Sequence, residues 1–137
     1  MVELIWDDAR NLAVRLARRD IAAVELMNAC YDQIERLNPT LNAIISLLPR
    51  ADALRLAEAA DRDAANGRIR GLLHGLPMAA KDTVDVAGFP TTFGFKPWAN
   101  RVAQHDSLRA ARQRAAGALF IGKTNLPEFA LGSHTFN

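Results

Sequence analysis

Gly75-Leu76-Pro77-Met78-Ala79-Ala80-Lys81-Asp82 is a short apolar run that ends on a lysine. As a strand it would alternate its side chains, placing Pro77, Ala79 and Lys81 on one face and Leu76, Met78 and Ala80 on the other. The small neighbours on its own face leave Lys81 room to reach inward. A lysine withdrawn from water has a depressed pKa and can act as a neutral base. The plainer alternative is a strand end whose lysine extends its charged head into solvent.

The flanking sequence places this strand in a larger unit. Residues 83–104 form a long segment punctuated by Gly88, Pro90, Gly94 and Pro97, the composition of a functional loop. Asp106 or Ser107 caps a helix that runs to Ala116 and stops at Gly117, and Ala118 to Ile121 read as a buried strand. Strand, helical crossover and strand make a βαβ unit, hence a parallel pair with a right-handed connection. Beyond it, Asn125 and Glu128 fit a capping box around Pro127.

Upstream, Asp7 or Asp8 caps a helix to about Arg18, with Ala9, Leu12, Ala13 and Leu16 on one face. Asp20 is expected to cap a second helix, with Ala23, Met27, Cys30, Ile34 and Leu37 inward and Asn38-Pro39 at its end. Leu41 to Leu48 read as a strand. Pro49 opens an alanine-rich helix with Leu54, Ala57 and Ala60 inward, which stops at Asn66-Gly67. There is no internal repeat and no low-complexity linker.

Composition narrows the function classes. The chain has 137 residues, half of them apolar and 23% charged, with a net charge of +2. This is the balance of one globular domain. Arg109, Arg112 and Arg114 spread around a helix and read as a solvated face, so no nucleic-acid partner is indicated. No run approaches membrane-spanning length, and residues 1–10 carry Glu3, Asp7 and Asp8 in place of an apolar signal core. The lone Cys30 gives no disulfide framework and reads as a small buried apolar residue. The expectation is a cytoplasmic protein without membrane contact. Fourteen arginines stand against three lysines, Lys81, Lys96 and Lys123, which favours lysine-specific chemistry where a lysine does occur.

Gly117-Ala118-Leu119-Phe120-Ile121-Gly122-Lys123-Thr124 matches the spacing of a phosphate-binding loop. That loop needs a strand before the first glycine, polar backbone cupped around phosphate and a helix starting at the lysine. Here a helix precedes the first glycine and four apolar residues fill the middle, so nucleotide binding is the weakest of the readings. His74, His105 and His134 show no metal-ligand spacing, and no cofactor or metal is implied. Asp82 should point away from Lys81 and serve a turn rather than pair with it. Phe89, Phe93, Phe95 and Trp98 are expected to pack over the core.

Three pieces of the chain together resemble the N-terminal part of the amidase signature family. The first is Gly71 to Asp82, followed by Val84-Asp85-Val86-Ala87-Gly88 and Pro90-Thr91-Thr92. The second runs from Asp106 to Thr124-Asn125. The third is Pro127-Glu128-Phe129-Ala130 with Gly132 and His134-Thr135. The resemblance implies an α/β fold in which helices pack on a partial mixed sheet containing a βαβ unit, with residues 1–137 forming a single incomplete unit. It also implies hydrolysis of carboxylic amides by a Ser–cis-Ser–Lys triad, with Lys81 at the position of the catalytic lysine. Lys123 and Thr124 would be supporting residues.

In that family both serines lie in a later segment rich in glycine and serine. Ser46, Ser107 and Ser133 are the only serines here. Ser46 falls in a strand, Ser107 caps a helix and Ser133 lies near the end, so none matches. The expectation is a fragment that carries the lysine but is inactive alone, its small-molecule amide substrate belonging to the complete enzyme. A partial sheet with open edges is also expected to self-associate or to pair with a complementing chain. The non-enzymatic alternative is an interaction module whose partner supplies the rest of the sheet.

Overall fold

The structure is a computed structural model and describes residues 2–135. Four helices and three strands follow one another as α1 (Ala9–Arg18), α2 (Ala23–Leu41), β1 (Ile44–Leu47), α3 (Arg50–Ala65), β2 (Pro77–Lys81), α4 (Leu108–Ala115) and β3 (Leu119–Thr124). The strands form one mixed sheet in the order β1-β3-β2, with β1 antiparallel and β2 parallel to the central β3. The β2–α4–β3 passage is the expected βαβ unit.

Helix α1 begins where expected, because the Asp8 carboxylate accepts from the Asn11 N–H at 2.8 Å. It ends at Arg19, whose φ of 61° is left-handed. The start of α2 differs from expectation. Asp20 does not cap it; instead the Asp61 carboxylate, in α3, accepts from the N–H groups of Ala23 at 2.7 Å and Val24 at 3.1 Å. Helix packing thus supplies from 38 residues away what local sequence was expected to supply. Pro39 also lies within α2, which ends at Asn42 in the left-handed region.

This changes the first strand. Leu41 belongs to the helix, and the strand shrinks to Ile44–Leu47. The Asn38 side chain accepts from the Ile44 N–H at 2.8 Å and donates to the Ile44 carbonyl at 2.9 Å, standing in for a strand partner at that end. Helix α3 opens at Pro49 and closes at Asn66-Gly67 as the sequence predicts.

The core divides across the sheet. On one side Leu12, Leu16, Leu26, Met27, Tyr31, Ala53, Ala57 and Ala60 of α1–α3 pack with Leu76 and Ile121. On the other, Ala80, Val86, Phe120 and Ala110 of α4 form a smaller cluster, with Phe89 packed against it. Phe120 and Ile121 are neighbours in β3 facing opposite sides, which is the alternation of a buried strand. The central strand admits only glycine at one position: a Cβ on Gly122 would sit 2.6 Å from the Ser46 carbonyl oxygen.

The phosphate-loop spacing from Gly117 to Thr124 is occupied by this strand. Gly117 has φ of +98°, and a Cβ there would lie 2.6 Å from the His74 Cα, so the glycine serves a close chain crossing. Asn125 and Glu128 make no capping box. Only a three-residue 3₁₀ turn, Glu128–Ala130, follows, and the Asn125 side chain accepts from the Leu126 N–H. Pro127 precedes that turn, and Phe129 inside it has φ of 51°, which no regular helix accommodates. Among the described residues no helix is long and apolar enough to cross a membrane.

Candidate active site

Lys81 is the last residue of β2, paired in register with Thr124 at the end of β3. Because the two strands are parallel, their carboxyl ends share one edge of the sheet, the edge at which open α/β sheets hold ligands. The Lys81 side chain is exposed at that edge. The described residues therefore do not supply the desolvated environment that a neutral amine base needs.

The next residue is held on every side. Asp82 is fully buried, and its N–H donates to the Thr124 carbonyl at 3.2 Å, which extends the β2–β3 ladder by one residue. Its carbonyl accepts from the Phe93 N–H at 3.2 Å. Its carboxylate accepts from both the N–H and the hydroxyl of Thr92. Asp82 is thus the turn-stabilising carboxylate that the sequence suggested, and it ties the loop after β2 back onto the strand end. Its cationic partner is Lys123, 41 residues away, with Nζ at 3.4 Å.

Lys123 is the residue whose role the sequence understated. Its side chain is completely buried, and Nζ also donates to the Thr91 hydroxyl at 2.9 Å and the Pro90 carbonyl at 3.0 Å. Burial pushes the ammonium below the ordinary lysine value, and the Asp82 carboxylate opposes that shift. Strand alternation alone places Lys123 opposite Gly122, but nothing local reveals that its head meets the 90–92 segment. The scarcity of lysine in the composition and the family resemblance, which marked Lys123 as a supporting residue, are the signals that pointed to it.

Further charges stiffen the same loop. Arg101 reaches Asp85 with both terminal nitrogens, at 2.8 and 3.2 Å, and donates to the Thr91 carbonyl at 3.1 Å. The Arg101 hydrogen bond holds the Asp85 carboxyl below the usual carboxylate range. Further along, Phe93, Phe95 and Trp98 pack with Phe129, with ring centroids 5.0–5.8 Å apart. Phe93 and Phe129 both have left-handed backbones, at φ of 56° and 51°, and the Phe129 N–H donates to the Phe93 carbonyl at 2.7 Å.

The remaining candidates are structural or peripheral. His74 is buried, with Nδ1 accepting from the Arg70 N–H and Nε2 against the Ala60 carbonyl at 3.0 Å. His105 and His134 are exposed. Ser46 lies in β1 opposite Lys123, Ser107 caps α4, and the Ser133 hydroxyl contacts His134. Cys30 is half-buried and unpaired, and burial raises its thiol pKa.

The Amidase family model matches residues 25–137, spanning both strands of the βαβ unit and the whole loop between them. This chain belongs to the Amidase family. It is 36% identical over 136 residues to a glutamyl-tRNA(Gln) amidotransferase subunit of Carboxydothermus hydrogenoformans, covering 99% of this chain and 28% of that protein. It is 38% identical over 125 residues to an acylamidase of Rhodococcus erythropolis, covering 91% and 26%. Among solved structures, the peptide amidase of Stenotrophomonas maltophilia superposes with a TM-score of 0.79 at 35% identity, over 89% of this chain and 25% of that one. The chain therefore spans about a quarter of the length of the relatives it matches. The fold described above matches about a quarter of their amidase-signature fold.

Proposed function

We propose that this chain contributes the base-bearing part of an amide hydrolase, with Lys81 as the amine that starts proton transfer. The observation that carries the reading is the position of Lys81, which ends β2 at the carboxyl edge of a parallel pair inside a segment matched by the Amidase family. An amide carbonyl needs a strong nucleophile, and a serine hydroxyl becomes one only when a base takes its proton. In the family's Ser–cis-Ser–Lys arrangement a neutral lysine accepts the proton of a bridging serine. That serine takes the proton of the nucleophilic serine as its Oγ bonds to the carbonyl carbon. The proton then passes to the departing nitrogen, the C–N bond breaks, and water releases the acid from the acyl-serine.

Neither serine of that triad is among the three in this sequence, so the site is complete only when another stretch of polypeptide supplies them. The same polypeptide would cover Lys81, withdrawing its ammonium from water and favouring the neutral form. The isolated 137 residues are expected to show no turnover of a simple aryl or aliphatic amide, since a triad without its nucleophile loses nearly all of its effect. Turnover by the purified chain alone would overturn the expected inactivity, and full turnover by Lys81→Ala once the serines are supplied would overturn the reading of Lys81 as the base.

A further inference from the structure

We propose that Lys123 is a positioning residue for Lys81, acting through Asp82 and the 90–92 segment; the inference rests on Lys81 being the amine base. The Lys123 ammonium is fully enclosed, and it touches an aspartate, a threonine hydroxyl and a proline carbonyl. All three partners belong to β2's exit or to the loop that folds back on it. Asp82 in turn uses its carboxylate for Thr92, its N–H for Thr124 and its carbonyl for Phe93. The backbone immediately after Lys81 is therefore fixed from β3, from the loop and from the Lys123 side chain at once.

Chemistry explains why a lysine fills this place. Three acceptors of different kinds converge on one point, and an ammonium offers three donors from a single atom. A neutral side chain would leave the Asp82 carboxylate buried without a cation. The clamp also explains how Lys81 can be exposed on its own strand end while the residue beside it is buried and hydrogen-bonded on every side. A base must be held at hydrogen-bond reach of its serine, and displacement by about 1 Å can cost about 100-fold in rate. The Lys123–Asp82 contact sets the direction in which β2 presents that base.

The three lysines make the test clean. Reductive methylation with ¹³C-formaldehyde gives each accessible lysine its own NMR signal, and Lys123 should be labelled only as the protein unfolds. Thr91→Val removes one of its partners without altering charge, and Lys123→Met removes the clamp. Both should move the Lys81 signal and its pH titration while leaving Lys96 unchanged. A lower melting temperature with Lys81 unmoved in the folded Thr91→Val protein would overturn the clamp and leave Lys123 a merely structural residue.

Reconstitution with a serine-bearing segment from a family relative adds a kinetic readout. There Lys123→Met should lower kcat by about 100-fold with KM held within about threefold. If Lys81→Ala abolishes turnover and Lys123→Met keeps wild-type kcat, the clamp fails while the amidase reading stands. If Lys81→Ala retains full turnover, the amidase reading itself fails.

Discussion

Tyr31 is the sole tyrosine of the chain, and its buried hydroxyl donates to the Leu48 carbonyl at 2.7 Å. Burial pushes its phenol up to about 12 from an ordinary value of 10.0. The unfolded chain therefore ionises first, and Tyr31's contribution is full below pH 10 and lost as pH rises through about 12. Lys123 acts with the opposite sign. Its folded pKa lies below the ordinary 10.5, so the unfolded state holds the proton longer and the Lys123 term gains as pH climbs toward that value. Ultraviolet titration of the folded protein should place the single phenolate midpoint near 12, falling to the ordinary value in denaturant. Tyr31→Phe should remove the signal and cost about 1–2 kcal/mol by leaving the Leu48 carbonyl unpartnered. At the buried pair, Lys123→Met alone should cost about 3–5 kcal/mol, because Asp82 is left charged and enclosed. The Asp82→Asn, Lys123→Met double variant should cost less than Lys123→Met, which urea unfolding of both proteins would check.

Helix α2 shows how an element can borrow its boundary. Two N–H groups at its start are satisfied by Asp61 of α3, whereas Asp20 makes no cap. Asp61→Ala is expected to lower stability by about 1–2 kcal/mol. Asp20→Ala should fall within about 0.5 kcal/mol of the parent. Equal losses from the two substitutions in a denaturation experiment would refute this assignment. Helix α4 is capped locally by Ser107, but its bond to the Ala110 N–H is long at 3.4 Å, so Ser107→Ala belongs at the low end of the capping range. The salt bridge from Arg114 to Asp106 at 2.7 Å ties the end of the same helix to the segment before its cap, and the Arg114 guanidinium over the Phe120 ring packs it on the sheet.

Over the whole molecule, β1 and β2 are the outer strands of the sheet, and neither has a second strand partner among the described residues. Large apolar side chains are also exposed, with Leu72 at 87%, Leu131 at 77% and Trp6 at 76%. Unpaired edges and exposed apolar surface favour association. Sedimentation should therefore show mass increasing with concentration, and Leu72→Glu should shift the distribution toward monomer. A monodisperse monomer with sharp cooperative unfolding across the same range would count against it.

Much of this architecture is written locally. The apolar run ending at Lys81, the Gly-bounded run from Ala118 to Ile121 and the Ser107 cap between them point to the βαβ unit. The expected alternation of the first run does not hold throughout: the β2–β3 register shifts between Met78 and Ala79, and Leu76 packs on the opposite side of the sheet from Met78 and Ala80. The motifs from Gly71 to Thr135 were enough to point to the family and to single out Lys81. Backbone geometry and short-range periodicity act within a few residues, and sequence displays them in order. The cap on α2 and the partner of Asp82 come from residues 38 and 41 positions away. Such contacts exist only once burial brings the chain together and every enclosed polar group must find an acceptor or donor. The sequence by itself determined the strand that carries Lys81; only the tertiary structure decided that Lys123 and Asp82 hold its end in place.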